Sequence, residues 1–281
     1  MYSIAYIVFS SLYCSCTVEG TKSSIDSISG NNTTAQSDPS NNEDILRSLY
    51  LLEQSTDGEN LIWELHIQSK DISLLGSLDC PFSVPNDKLA AMTADPKGIL
   101  WALSEEYQIM RIAPATLVCT SFPQLASTEE FQAESLAFIQ NEEGVEFFLA
   151  GYYGNPQGGA STALAQLSAD GIEIIAPITN FEGQDTVIDI DTTPDQRLFG
   201  YRGWGNLSEL LSLNAQTGSE EYSQTIYIST EQNFALLSDN QTHWFFTNTG
   251  PQGSQLHRYQ NDLLEWWMDI PFIVVGASGI E

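Results

Sequence analysis

Apolar residues in this chain fall into short runs, each cut off by Gly, Pro, Asn, Asp or Ser, and no stretch holds a helical period for long. That pattern predicts strands joined by tight turns, an all-β chain from Leu46 onward. The runs also recur. "LYLLE" at Leu49, "LWALS" at Leu100, "FFLAG" at Phe147, "LFGYR" at Leu198 and "FFTNT" at Phe245 are spaced 51, 47, 51 and 47 residues apart. A further apolar run precedes each of the last four: "KLAAMT" from Lys88, "ESLAFI" from Glu134, "TVIDID" from Thr186 and "NFALLS" from Asn233. Two more runs follow each of the five, for example "QIMRIA" from Gln108 and "LVCTSF" from Leu117. Each unit is therefore four strands, A to D, and a period of this length signals a repeat architecture.

The ends of the repeat complement each other. The first unit lacks strand A before Leu49, whereas "FIVVGAS" (Phe272–Ser278) is left over after the fifth D strand. If the surplus strand fills the vacancy, five four-stranded units close into a ring with no unpaired terminal edge. The pattern resembles a five-bladed β-propeller closed by its C-terminal strand. "TADPKGILWAL" (Thr93–Leu103) and "TTPDQRLFGY" (Thr192–Tyr201) then read as A–B turns running into B strands. Gly98, Gly171 and Gly218 suit tight turns that demand positive φ, and Asp95 and Asp195 suit hydrogen bonding to the turn backbone.

The repeated turn, the "L-x-R-I/L" strand and "NAQTG" (Asn214–Gly218), degraded to "APAT" (Ala113–Thr116), also resemble a family of extracytoplasmic propeller lipoproteins of myxobacteria and related bacteria. The resemblance covers most of residues 46–281. It implies the fold and an extracytoplasmic address, and carries no activity with it.

The N-terminus points to the same address. "SIAYIVFSSLYCSC" (Ser3–Cys16) is too short to span a bilayer as a helix and suits a signal-peptide core. Its end at Cys16, preceded by the small Ser15, resembles a lipoprotein signal in which Cys16 is lipidated. Leu12 stands one place early for that pattern, and Met1–Tyr2 carries no basic residue, so a plain cleaved secretory signal is the alternative. Residues 17–45 are rich in Ser, Thr, Asn and Asp and too poor in apolar residues to order themselves, a disordered polar tether. The expected organisation is signal 1–16, tether 17–45 and propeller 46–281. Thr17, rather than Asp, after Cys16 resembles outer-membrane sorting in a Gram-negative cell; otherwise the protein is periplasmic or secreted.

Charge narrows the partners. The 281 residues include 9 Lys and Arg against 37 Asp and Glu, a formal charge of −28. Phosphate backbones and anionic membrane surfaces are repelled, so nucleic acid is not an expected partner, whereas cations and basic proteins are attracted. The same charge also has a plain reading as solubility. Neither the four cysteines nor the scattered His66, His243 and His257 have metal-ligand spacing. Cys80 and Cys119 lie 39 residues apart near the D strands of consecutive blades. In an oxidising compartment they can form one disulfide if the chain brings their Cα atoms within reach.

Candidate site residues fall in two places. The B–C loops of blades 3 to 5 are Gly-rich, and Tyr152, Tyr153 and Trp204 beside Arg202 suit recognition of a glycan, peptide or protein. Asp189 and Asp191 alternate on an A strand and so face one side of it, where they are candidate oxygen ligands for Ca²⁺. No other cofactor is expected. Paired carboxylates such as Asp189 with Glu134 also fit a propeller glycoside hydrolase. The chain has no nucleophile elbow, phosphate-binding loop or dinucleotide fingerprint. The expected function is a non-enzymatic binding or scaffold module, with a propeller hydrolase as the alternative.

Overall fold

The computed structural model describes residues 48–55, 57–142, 144–154, 161–178, 186–204, 207–228, 232–239, 241–248 and 253–280. Within the strands, the side chains of 54, 161, 186–188, 204, 207, 232–234 and 280 are not described. The chain divides into Met1–Glu43 and Asp44–Glu281, and the first unit lies wholly outside the described residues.

Among the described residues there are twenty strands. Blade 1 holds β1 (Ser48–Gln54), β2 (Asn60–His66) and β3 (Asp71–Leu78). Blade 2 is β4 (Leu89–Ala94), β5 (Leu100–Ser104), β6 (Gln108–Ala113) and β7 (Val118–Leu125). Blade 3 is β8 (Phe131–Asn141), β9 (Gly144–Tyr153), β10 (Ser161–Ser168) and β11 (Gly171–Pro177). Blade 4 is β12 (Thr186–Thr192), β13 (Leu198–Trp204), β14 (Leu207–Leu213) and β15 (Glu220–Ile226). Blade 5 is β16 (Gln232–Asp239), β17 (Thr242–Asn248), β18 (Ser254–Gln260) and β19 (Leu263–Ile270). The last strand, β20 (Val274–Ile280), pairs antiparallel with β1, setting Leu49 opposite Gly279 and Leu51 opposite Ala277. The five sheets are four-stranded and antiparallel, and the protein is a five-bladed β-propeller closed by its C-terminal strand. The closing strand starts and ends two residues later than the sequence pattern placed it, because Phe272 packs in the core between blades 5 and 1 instead of pairing.

Burial explains why the B strands were the easiest to align. They lie inside each blade and are covered on both faces by neighbouring blades, so β17 is buried at every position but its first. Outer strands such as β3 and β7 are largely exposed. The core is correspondingly five apolar clusters, one between each pair of neighbouring blades. The cluster joining blades 5 and 1 contains Phe246 and Leu256 from one side, Leu49 and Leu51 from the other, and Val274 and Ala277 from the closing strand. Ring closure is thus a hydrophobic interface of the same kind as the other four.

A disulfide joins Cys80, just past β3, to Cys119 in β7, with Cα atoms 5.0 Å apart. Strand twist of roughly 20–25° per pair accumulates across a blade. The outer strand is therefore swung well away from the inner one, and the end of β3 meets the start of β7. Gly76 in β3 accordingly lies so close to Leu117 that a Cβ there would come within 2.7 Å of it.

Candidate functional site

The A–B turns gather at one end of the central channel. In the first of them Asp95 accepts the Gly98 N–H on its carbonyl, and its Oδ1 accepts the N–H groups of Lys97 (2.9 Å) and Ile99 (3.0 Å). Its Oδ2 accepts Trp101 Nε1–H at 3.1 Å, and Gly98 takes φ +74°. The equivalent turn of blade 4 has the same backbone bonds with other chemistry. Thr193 stands where Asp95 does, its hydroxyl accepting the Arg197 N–H at 3.2 Å, and Gln196 takes φ +67° in place of Gly98. Asp195 serves the same turn one step later, accepting from the Thr193 hydroxyl (2.5 Å) and Arg197 Nε (2.8 Å).

Between these turns opens a cavity of about 670 Å³, a size that suits a small ligand. All five inner strands end in its wall. Strand β20 brings Ser278, β4 brings Thr93, β8 brings Phe138, β12 brings Asp191, and β16 brings Ser238 and Asp239. Tyr50 of β1 completes one side.

Asp189 and Asp191 do face one side of β12, as their alternation requires, but that side is the neighbouring inner strand. Asp189 Oδ2 accepts the Leu236 N–H at 2.7 Å and Asp191 Oδ2 accepts the Ser238 N–H at 2.6 Å. Two carboxylates thereby pair the inner edge of β16, whose amides have no fifth strand to bond. Thr192 of the same strand donates from its hydroxyl to the Phe138 carbonyl at 2.7 Å, so β12 is tied to both neighbours. Burial pushes the Asp191 carboxyl up to about 7 against the hydrogen bonds from Ser238, Thr192 and Thr93. Burial likewise pushes the Asp189 carboxyl well above the usual carboxylate range, and the charge of Asp191 adds to the effect. The Thr93 hydroxyl reaches Asp191 Oδ1 only at 3.4 Å, leaving that oxygen with acceptor capacity toward the cavity. Among the described residues no three His, Cys, Asp or Glu side chains come together as a metal-binding group.

The aromatic site expected on the B–C loops lies at the other end of the blades. Tyr152 is exposed at the end of β9, whereas Tyr153 is half-buried and packs on the cluster between blades 2 and 3. The hydroxyl of Tyr107 is pushed up by burial and by the nearby Glu134, Glu106 and Tyr152, which places those groups in one neighbourhood. Arg202 is 5% exposed and its guanidinium is met within its own blade, by Glu209 (Nε to Oε2, 3.0 Å) and Glu220 (3.5 Å). The Trp204 side chain, and residues 155–160, 205–206 and 249–252 of the three loops, lie outside the described residues, as does Cys16.

Two features escaped the sequence reading. Thr93 and Ser238 are ordinary strand residues until the ring sets the Thr93 hydroxyl and the Ser238 amide against Asp191. His243 is 7% exposed and held neutral, burial and then Arg197 lowering it to about 4. Its Nδ1 pairs with Ser238 Oγ at 2.9 Å, linking the axial cavity to a groove of about 480 Å³ between blades 4 and 5. Ser48 and His66 form the same cross-strand pair in blade 1, at 2.6 Å, which makes the motif a structural one.

No family model matches the chain, and no curated protein matches it. Solved structures align with the chain at low identity. A protein of unknown function from Bacteroides caccae is 8% identical over 83% of this chain and 98% of its own, with a TM-score of 0.48. Virginiamycin B lyase from Staphylococcus aureus is 13% identical over 80% and 85%, with a TM-score of 0.39. The calcium-binding protein regucalcin from Agrobacterium tumefaciens is 13% identical over 81% and 70%, with a TM-score of 0.40.

Proposed function

We propose that this protein is an exported β-propeller acting as a non-enzymatic binding module, anchored by a lipid on Cys16 and taking its ligand at the A–B mouth of the channel. The observation that carries this reading is the 670 Å³ cavity in which five strand ends converge. The two channel carboxylates that invite a catalytic reading come from one strand, and each holds a backbone amide of β16. That is a positioning role within the ring. The anchor and the outer-membrane or periplasmic address rest on residues 1–45 and on the resemblance to the extracytoplasmic lipoprotein family. With a charge of −28, the partner is a small molecule, peptide, protein or glycan and no nucleic acid.

Screening the full-length protein on glycan and peptide arrays and against small-molecule panels tests the binding role. A saturable ligand whose affinity responds to substitution of Asp191 or Thr93 supports it, and a protein that binds nothing in any panel refutes it. Palmitate labelling lost in Cys16→Ala, with globomycin-sensitive processing, tests the anchor; processing without label leaves a secreted protein. One observation favours a hydrolase as a second reading. Asp191, with its raised carboxyl, shares the cavity with Asp239 from a different blade, and raised acids in a cleft serve general acid catalysis. Turnover of chromogenic glycosides, abolished in both Asp191→Asn and Asp239→Asn, would establish it.

A further inference from the structure

We propose that the axial cavity binds a small organic cation, a primary amine or guanidinium, whose charged head pairs with the Asp191 carboxylate. This rests on the binding-module reading and names the ligand class for the same site.

The cavity wall is acidic in a selective way. Of the carboxylates that reach it, Asp95 is engaged by the amides of its own turn and by Trp101. Asp191, whose Oδ2 holds the Ser238 amide, lies at the channel end. The basic residue of the wall, Lys97, is exposed on the rim. An anion therefore meets the negative charge of Asp191. A neutral ligand would leave an ionised carboxylate desolvated without a counter-charge, which is costly. A hard metal ion wants six or more oxygens, whereas Asp191 has one oxygen on the Ser238 amide and no metal-binding group assembles among the described residues.

An ammonium or guanidinium head fits these constraints. It needs a few acceptors in a small space, and Thr93 Oγ1 stands 3.4 Å from Asp191 Oδ1, so one head group reaches both. Tyr50 and Phe138 line the wall beside it, the Phe138 ring itself being stacked on Phe147 in the core between blades 2 and 3. The charge of −28 adds long-range attraction for cations and none for competitors of the other sign.

Burial, opposed by hydrogen bonds from Ser238, Thr192 and Thr93, sets the response of Asp191 to pH, and several polar and charged groups stand around it. They are Asp189 on its own strand, Asp239 on β16, Asp95 and Lys97 on the β4–β5 turn, the uncharged Gln140 on β8, and Ser278 on β20. Because burial holds the Asp191 carboxyl near 7, a cation must compete with a proton there. Affinity is then expected to fall by about thirty-fold from pH 8 to pH 5.5, a window in which the ligand's own charge is constant.

The test is ligand-observed NMR on the full-length protein with agmatine and n-butylamine, with maltotriose and chitotriose, and with calcium chloride. The proposal expects saturable amine binding, weakened at least ten-fold in Asp191→Asn and weakened at pH 5.5, with no such response from the sugars. Amines that bind equally well at both pH values, or equally well to Asp191→Asn, overturn it. If Asp191→Asn fails to fold, the wild-type pH series decides alone. Asp191-dependent binding of a sugar or of calcium without amine binding overturns the cation assignment and leaves the binding-module reading standing. No binding by any probe overturns the cation assignment, and the array screen then decides the broader reading.

Discussion

Asp191→Asn is expected to stabilise the protein above neutral pH and to do little below pH 4. The carboxylate is 6% exposed, and its pKa rises from the usual 3.8 to about 7, chiefly by burial. The folded state therefore holds a proton more tightly than the unfolded chain does. The associated stability is fully present below the unfolded value and is lost as pH rises through the folded one, so wild-type stability declines between about pH 4 and pH 7. At 1.36 kcal/mol per unit, a shift of this size corresponds to about 4 kcal/mol between the two ends of that window.

Asparagine removes the charge and keeps a carbonyl oxygen for the Ser238 amide, now a neutral hydrogen bond weaker by about 1 kcal/mol. The balance is a gain of roughly 2–3 kcal/mol at pH 8 and a small loss at pH 4. Removing the charge also eases the burial of Asp189, whose carboxyl Asp191 pushes up, and this acts in the same direction. Urea unfolding of both proteins at half-unit steps from pH 4 to pH 8.5 measures the difference. It must grow with pH and level off above about pH 8. A constant difference across the series, or a variant less stable at pH 8 than at pH 4 relative to wild type, would refute a raised Asp191.

Three further outcomes follow from the packing. The Cys80–Cys119 disulfide closes a span of 39 residues, so Cys80→Ser with Cys119→Ser should lower stability by about 4 kcal/mol in the loop-entropy account, read as a fall in the urea midpoint. Gly276→Ala places a Cβ 2.5 Å from the Met92 backbone nitrogen where β20 meets β4; it should cost 1–3 kcal/mol or more and lower the thermal midpoint, and an unchanged midpoint would contradict that close approach. Arg202→Ala leaves Glu209 and Glu220 without their cation and should cost about 2–4 kcal/mol while leaving ligand titrations unchanged; altered binding at unchanged stability would return Arg202 to a ligand role.

The architecture was legible because a propeller repeats its packing problem five times. Each B strand is covered on both faces, so "LWALS" and "LFGYR" declare themselves as apolar runs, and the vacancy before Leu49 matches the surplus at the C-terminus. Turn chemistry was legible only by type. The register that sets Leu100 on Leu198 puts Asp95 on Thr193, as the backbone bonds do, because a hydroxyl and a carboxylate both accept the same amide; Asp195 shares the residue type of Asp95 and not its position.

Site chemistry was legible in residue identity and not in direction. The alternation of Asp189 and Asp191 correctly implied a shared face, but sequence contains nothing to say that the face meets the open edge of β16. Arg202 shows the reverse case. A charged residue beside aromatics at a loop suggests an exposed ligand group, yet its cross-strand neighbour Glu209 and the more distant Glu220 draw it into its own blade. The axial cavity is assembled from residues about 50 positions apart, and the ring alone makes them neighbours. The chemistry of that cavity therefore depends on which inner strand ends converge. The decisive property of Asp191 is that one of its oxygens holds β16 in place while the other meets Thr93 in the cavity wall, so a charge bound beside it would be coupled to the junction of blades 4 and 5.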